Sequence, residues 1–104
     1  MTDALIVFST CADETEALRL ANTLVEARLA ACVNVLPAIQ SVYRWQGAIE
    51  NAREILLVVK TTRQRFEAVC DLISTVHSYD TPEIIAVPVA AGSEKYLAWL
   101  TAQV

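Results

Sequence analysis

The chain has 104 residues, the size of one domain with a single two-layer core. Its hydrophobic content of 55% is high beside a charged content of 19%, and its formal net charge is −4. That negative balance and the lack of any Lys/Arg cluster predict that the protein does not bind nucleic acid.

The sequence also predicts neither a membrane span nor a secretory leader. A span needs about 20 consecutive apolar residues, and the best run, 84–91, is interrupted by Pro88. The N-terminal end carries Asp3 and no basic region before its apolar stretch, unlike a signal peptide. Three cysteines without a Cys-x-x-Cys pair favour reduced thiols and a cytoplasmic location.

The first predicted element is a strand at 4–10, a β-branched and aromatic run that we place at the centre of a sheet. A helix is predicted to begin at Asp13, with Glu16 completing an acidic capping box, and to end near Arg28. Its apolar residues recur at helical spacing and would cover one face of the sheet. They are Ala17, Leu18, Ala21, Leu24 and Val25.

The stretch 29–62 predicts one long β-hairpin. Side chains alternate around Tyr43, Gln46-Gly47 offers a tight turn with positive φ at Gly47, and the apolar run 55–59 returns. At roughly 3.3 Å per residue, arms over 32–45 and 48–60 would reach about 40 Å, whereas a helix of about 15 residues spans about 22 Å. Pro37 cannot donate to a strand ladder, so it predicts a bulge or bend in the first arm.

Such a hairpin would extend beyond the helices of its own subunit. Its tip carries Val42, Tyr43, Trp45 and Ile49, which would form an aggregation-prone edge if they were left in water. We therefore expect the tip to pack on another subunit and the protein to be an obligate oligomer, with Trp99 as a further interface anchor.

A second helix is predicted to begin after Thr61 or Thr62, one of which would cap it. It is predicted to end before the segment 77–82, because the residue preceding Pro82 avoids helical dihedrals. Its apolar face is predicted from a regular spacing. The members of that face are Phe66, Val69, Cys70, Ile73 and Val76.

A last strand is predicted at 83–89, with Pro88 placing it at a sheet edge, and a short C-terminal helix follows Gly92-Ser93. The order β-α-β-β-α-β plus a helix predicts one α+β domain over 1–104 with the ferredoxin-like arrangement. Four antiparallel strands would carry two helices on one face, and the other face would be bare in a monomer.

His77 is the only histidine and the first candidate for chemistry. It continues the apolar face of the second helix at its C-terminal end, where the helix dipole favours a cation. It is either a hydrogen-bonded structural residue or a metal or anion ligand, and as a ligand it needs partners. Those within the chain are Cys11, Glu54, Tyr79 and Glu83.

Cys11 ends the first strand and Glu54 flanks the run 55–59. Each has an ordinary alternative, a half-buried thiol for Cys11 and a solvated strand-end charge for Glu54. If they are ligands, a thiolate beside an imidazole suits copper better than magnesium or calcium. The sequence thus leaves open a Cu²⁺ site, or a site for another divalent cation, at His77, Cys11 and Glu54.

A second interpretation is a small anionic ligand in a cleft between subunits. Lys60, Arg44 and His77 would hold the anion, and Tyr79 and Glu83 would line the same cleft. An enzyme is not expected, because the chain has no Ser/His/Asp signature, glycine-rich phosphate loop or His-Glu-x-x-His motif. Acylphosphatases share the ferredoxin-like fold and use an Arg and an Asn, but fold analogy alone is a weak argument.

Five segments carry a resemblance to a known family: ARLAACVN at 27–34, SVYRWQG at 41–47, EILLVVKT at 54–61, HSYDTPEI at 77–84 and YLAWL at 96–100. In order and spacing the chain resembles the CutA divalent-cation tolerance family over essentially its whole length. The resemblance implies a cytosolic homotrimer linked to copper and other divalent ions, with His77 as the motif histidine.

The sequence departs from the family pattern at several positions. Ser78 and Asp80 stand where the family's His-Pro-Tyr-Glu block has proline and glutamate, while Ser9 and Val76 stand where some members have a cysteine and a second histidine. Cys11 lies near the first of these positions. The family trimer also resembles PII-type signalling proteins, which implies, as the alternative function, a small-ligand sensor or a scaffold for a partner protein.

Overall fold

The protein is described by a computed structural model that covers residues 2–104. Its elements are β1 (Ala4–Cys11), α1 (Glu14–Glu26), β2 (Cys32–Trp45), β3 (Ala48–Thr62), α2 (Phe66–Val76), β4 (Ile85–Pro88) and α3 (Glu94–Gln103), with a 3₁₀ turn at Arg63–Arg65 before α2. The strands form one antiparallel sheet in the order β2-β3-β1-β4. The predicted ferredoxin-like α+β fold is confirmed, with β1 inside the sheet and β4 at an edge.

The core lies between one face of the sheet and the helices α1 and α2. Its fully buried members come from β1 (Val7 and Cys11), α1 (Leu20 and Leu24), β3 (Leu57 and Val59) and α2 (Val69 and Ile73). A smaller cluster joins Leu100 of α3 to Ala4 and Ala31 at one end of the sheet. No helix within residues 2–104 is long and apolar enough to cross a membrane.

The opposite face of the sheet carries exposed apolar side chains on its edge strand. On the edge strand β4, Ile85 is 57% exposed and Val87 is 43% exposed. Their cross-strand neighbours on β1, Phe8 and Ile6, are half-buried. The predicted bare face is therefore present in the single chain.

The long hairpin is also confirmed, since β2 has 14 residues and β3 has 15. It stretches the molecule to 44 Å along one axis against 25 and 23 Å along the others. Gln46 (φ 49°) and Gly47 (φ 81°) link the paired residues Trp45 and Ala48, which is the type I′ pattern of a two-residue hairpin turn. At the tip, Val42 is 66% exposed.

A β-bulge at Pro37 and Ala38 interrupts β2, as the proline predicts. Leu36 pairs with Leu56 but Ile39 pairs with Glu54, so between these two pairs β2 contains one residue more than β3. Ala38 takes up the extra residue with φ of 60°. Because side chains alternate in a strand, the odd-numbered residues of β2 change face here, and those beyond the bulge lie on the side opposite α1 and α2.

Several boundaries and faces differ from the sequence predictions. The last strand was predicted over 83–89 but covers only Ile85–Pro88, because its ladder with β1 begins at the pair Phe8–Ile85. The predicted threonine cap of α2 is wrong. Thr61 is buried and donates its hydroxyl to the Leu29 carbonyl (2.6 Å), while Thr62 precedes the 3₁₀ turn and makes no side-chain cap.

The inward faces of the helices are also shifted. On α2, Val76 is 45% exposed, and the next residue, His77, is buried instead. His77 comes four residues after Ile73 and so lies on the same side of the helix, whereas Val76 comes only three residues after it. On α1, Leu18 and Val25 are exposed at 45% and 43%, and the buried stripe is Glu16, Ala17, Leu20, Ala21 and Leu24.

The buried position of Ile73 and the exposed position of Val76 on α2 can be tested by substitution. Ile73→Ala is expected to lower the free energy of unfolding by about 2–5 kcal/mol, because Ile73 is fully buried and its loss leaves a cavity. Val76→Ala, the matched control, should change it by less than about 0.5 kcal/mol. Urea unfolding followed by circular dichroism provides both values, and equal losses would contradict the observed orientation of α2.

Candidate functional site

Three potential ligand side chains meet in a buried cluster at the end of β1. The Cys11 thiol, a Glu16 carboxylate oxygen and a His77 ring nitrogen lie within 4.8 Å of one another, and all three residues are buried. Cys11 is the last residue of β1, Glu16 lies in the first turn of α1, and His77 directly follows α2. We call these residues the thiol cluster.

His77 is held by hydrogen bonds on both ring nitrogens. Nε2 lies 2.7 Å from the Thr10 carbonyl oxygen, and Nδ1 lies 2.9 Å from the Tyr79 backbone nitrogen. A carbonyl only accepts and a backbone N–H only donates, so Nε2 carries the proton and Nδ1 accepts. His77 is therefore a neutral imidazole with the Nε2–H tautomer.

Glu16 is buried because it holds the chain that follows α2. Its Oε2 accepts from the Ser78 backbone N–H (2.7 Å), and its Oε1 accepts from the Ser78 hydroxyl (3.0 Å). The capping box is thus half confirmed, since Asp13 accepts from the Glu16 N–H (2.8 Å) but the Glu16 side chain binds Ser78 instead of reaching back. Hydrogen bonds to a carboxylate are stronger than those between neutral groups.

The Cys11 thiol is fully buried, with Sγ 3.8 Å from His77 Nε2. Burial, then the negative charges of Glu16, Asp13 and Glu54, raise the pKa of Cys11 to about 12. Two residues earlier on the same strand face, the buried Ser9 hydroxyl has no hydrogen-bond partner within residues 2–104. The cluster is thus a protonated thiol, a neutral imidazole and a carboxylate, all withdrawn from water.

A cavity of about 540 Å³ opens on the other side of the sheet, beneath the hairpin. Three parts of the chain line it: the sheet end, the distal hairpin arm and the loop after α2. The lining residues are Thr10, Ser41, Val42, Tyr43, Trp45, Glu54, Tyr79, Asp80, Thr81 and Glu83. We call this space the hairpin cavity.

Glu54 and Tyr79 form the inner wall of the hairpin cavity. Glu54 is only 7% exposed, and its Oε2 accepts from the Tyr79 hydroxyl at 2.8 Å. Burial, followed by this bond to Glu54, raises the pKa of Tyr79 well above its usual range, so the phenol remains a donor. The alternative of a solvated strand-end charge is wrong for Glu54.

The predicted site residues do not form one site: some lie in the thiol cluster, some line the hairpin cavity, and two lie elsewhere. His77 and Cys11 meet in the thiol cluster, but the third member there is Glu16, and Glu54 faces the hairpin cavity with Tyr79 and Glu83.

The two predicted cationic residues lie elsewhere within the subunit. Lys60 donates to the Asn34 side chain and lies 4.0 Å from Cys32 Sγ, at the end of β3 that is remote from the hairpin turn. Arg44 pairs with Ile49 near the hairpin turn.

Sequence reasoning missed Glu16 as part of this site. The signal was present, because Glu16, Leu20 and Leu24 are spaced four residues apart and so share one helix face. A carboxylate in an apolar stripe indicates a buried partner.

Comparisons with known proteins identify relatives over nearly the whole chain. The family model described as CutA1 divalent ion tolerance protein matches residues 5–103. A divalent-cation tolerance protein CutA of Thermus thermophilus is 45% identical over 91% of this chain and 92% of its own. The chloroplastic protein CutA of Arabidopsis thaliana is 41% identical over 93% of the chain, which spans only 53% of that relative.

A solved structure shows the same likeness in three dimensions. The crystal structure of CutA from Xylella fastidiosa has a TM-score of 0.95 and 42% identity, covering 98% of each chain. The similarity therefore extends over both the fold and the whole sequence.

The buried thiol gives a direct test of the site geometry. The thiolate is the reactive form, so Cys11 in the native protein at pH 8 is expected to react with iodoacetamide at least about a hundredfold more slowly than in the denatured chain. Cys70, half-buried on α2, should react before Cys11 and serves as the internal control. Mass spectrometry of the labelled peptides measures both rates. Native labelling of Cys11 as fast as Cys70 would mean that the cluster is open to water.

Proposed function

The chain belongs to the CutA1 divalent ion tolerance family, and from this we propose that it is a homotrimer that binds a divalent cation, foremost copper, at the thiol cluster of each subunit. The observation that supports the proposal is the convergence of Cys11, Glu16 and His77 within 4.8 Å in a buried place. The proposed activity is binding, not catalysis.

The donor atoms of the thiol cluster suit a single soft or borderline ion. Atoms that bind one ion at about 2.0–2.3 Å in a tetrahedral arrangement are separated by about 3–4 Å. Cys11 Sγ and His77 Nε2, 3.8 Å apart, satisfy that spacing. A thiolate selects copper and zinc over magnesium and calcium, and imidazole suits the same metals.

Binding there would require the cluster to give up bonds that it now makes. His77 Nε2 would lose its proton together with its bond to the Thr10 carbonyl, the Cys11 thiol would lose its proton, and Glu16 would share an oxygen now bound to Ser78. If the ring proton moved to Nδ1, the Tyr79 N–H would lose its acceptor. These exchanges oppose uptake, and they favour an ion that binds sulfur strongly. The position at which some family members have a second histidine cannot contribute, because Val76 has no ligand atom and faces outward.

The exposed apolar surface supports the trimer. Val42 and Ile49 at the hairpin tip are 66% and 64% exposed. Large exposed apolar groups of this kind mark protein–protein contacts. Packing each tip on the neighbouring subunit would cover them. The cytoplasmic location stays a prediction, and the Arabidopsis relative is described as chloroplastic.

A small-ligand sensor or a scaffold for a partner protein is the second candidate function, and it is compatible with the same trimer. The hairpin cavity supports it, because its volume of about 540 Å³ lies within the range of small-molecule sites.

The assembly can be tested by native mass spectrometry. The purified protein is expected to have the mass of three chains, and Ile49→Glu should dissociate it by placing a charge in the buried contact. Glu50→Gln, an exposed change on the neighbouring residue, is the matched control and should leave the trimer intact. A wild-type monomer at micromolar concentration would contradict the proposal.

Metal uptake can be tested by titrating Cu²⁺ into the same trimer. Three ions per trimer are expected, and Cys11→Ser should weaken uptake at least about tenfold, because a hydroxyl replaces the sulfur ligand. His77→Gln is expected to act similarly, while Cys70→Ser on α2 should bind like the wild type.

The Cys11→Ser variant tests the site even if loss of His77 disturbs the fold. Unchanged stoichiometry and affinity in both Cys11→Ser and His77→Gln would show that copper binds elsewhere.

A further inference from the structure

We propose that the hairpin cavity is a binding site for an organic ammonium ion, and that the ligand class is a polyamine. This site is separate from the thiol cluster, and its chemistry does not depend on metal binding there. The proposal rests on the charges, the aromatic side chains and the dimensions of the cavity.

The lining of the cavity carries only one sign of charge. Glu54, Asp80 and Glu83 contribute three carboxylates, and no Lys, Arg or His lines the space. Glu54 is more than nine-tenths buried, and the only hydrogen bond of its carboxylate within residues 2–104 is the one from the Tyr79 hydroxyl to Oε2. A buried carboxylate with a neutral partner alone is costly, and a cation in the cavity would compensate for it.

Aromatic side chains supply the second feature. Tyr43, Trp45 and Tyr79 line the same space as the three carboxylates. An ammonium group gains energy from the face of an aromatic ring, and aromatic residues with carboxylates form the usual environment for alkylated ammonium ligands. A metal ion would gain nothing comparable from these rings, because hard cations take oxygen ligands.

The dimensions favour an extended organic cation over a bare ion. About 540 Å³ is far more than one ion occupies and is typical of a small-molecule site. Three carboxylates, two of them on the loop after α2 and one on β3, match a chain that bears several amino groups better than a ligand with one charge. The methylene segments of such a chain would pack on the rings.

The negative charge of the lining also argues against an anionic ligand in the hairpin cavity. Lys60 and Arg44, the cations considered for an anionic ligand, do not line the cavity. An anion would meet three carboxylates there and no basic group.

The experiment is calorimetric titration of the trimer at constant ionic strength with three probes: spermidine, choline and Mg²⁺. Spermidine is expected to bind most tightly, choline more weakly because it carries one charge, and Mg²⁺ weakest. Glu54→Gln retains an acceptor for Tyr79 but removes the buried charge, so it should weaken spermidine binding at least about tenfold. Thermal unfolding of each variant checks that the fold is kept.

Two further variants complete the design. Glu83→Gln changes an exposed carboxylate of the lining and should weaken binding about threefold or more without affecting the fold. Glu50→Gln removes an exposed charge from the same strand as Glu54 but outside the lining, and it should bind spermidine within about twofold of the wild type.

Three results would overturn the proposal. One is the absence of spermidine binding at millimolar concentration, as expected if a basic side chain of a neighbouring subunit already fills the cavity. Another is equal binding of Mg²⁺ and spermidine, which would indicate general attraction to an acidic protein. The third is wild-type affinity in Glu54→Gln and Glu83→Gln. None of these results bears on copper uptake at Cys11, so the two proposals fail independently.

Discussion

The arrangement around the end of β1 depends on the two hydrogen bonds of the His77 ring. One joins it to the carbonyl of Thr10 in β1, and the other receives the backbone N–H of Tyr79 in the loop after α2. Together they fix a sheet strand, a helix end and a loop in one place. The ring is buried and both its nitrogens are used, so it can rotate or change tautomer only by leaving a buried polar group unpaired.

Both candidate sites follow from this arrangement. Cys11 follows Thr10 on β1, so its side chain points to the helix side of the sheet while Thr10 lines the cavity on the other side. Tyr79 likewise serves both, since its backbone binds His77 and its hydroxyl binds Glu54. A ligand that took His77 Nε2 from Thr10 would therefore act on a ring that also positions a wall of the cavity. The bonds give the two sites a short physical connection.

Local patterns predicted much of this fold, and the reasons for the failures are also physical. Alternation around Tyr43, the Gln46-Gly47 turn and the donor missing at Pro37 are each properties of a few adjacent residues, so the hairpin and its bulge were predictable. The partner of Glu16 is Ser78, 62 residues away, and no local pattern reports such a bond. Glu54 seemed solvated for the same reason, because its hydrogen-bond partner Tyr79 lies in a loop distant in sequence.

The bulge at Pro37 and Ala38 determines what the hairpin presents to the rest of the molecule. Before it, Val33 and Val35 pack against the core, and after it Tyr43 and Trp45 line the cavity on the opposite face, although all four have odd numbers. Without the extra residue, strict alternation would turn those two rings to the helix side, away from Glu54.

Ala38 adopts a left-handed conformation, which costs a non-glycine residue roughly 1–2 kcal/mol. A hairpin needed only as a dimerising or trimerising arm could run regularly and avoid that cost. The bulge at this residue places two aromatic rings on the sheet face that carries Glu54, so under the proposed ligand binding it would serve the cavity as well as the fold.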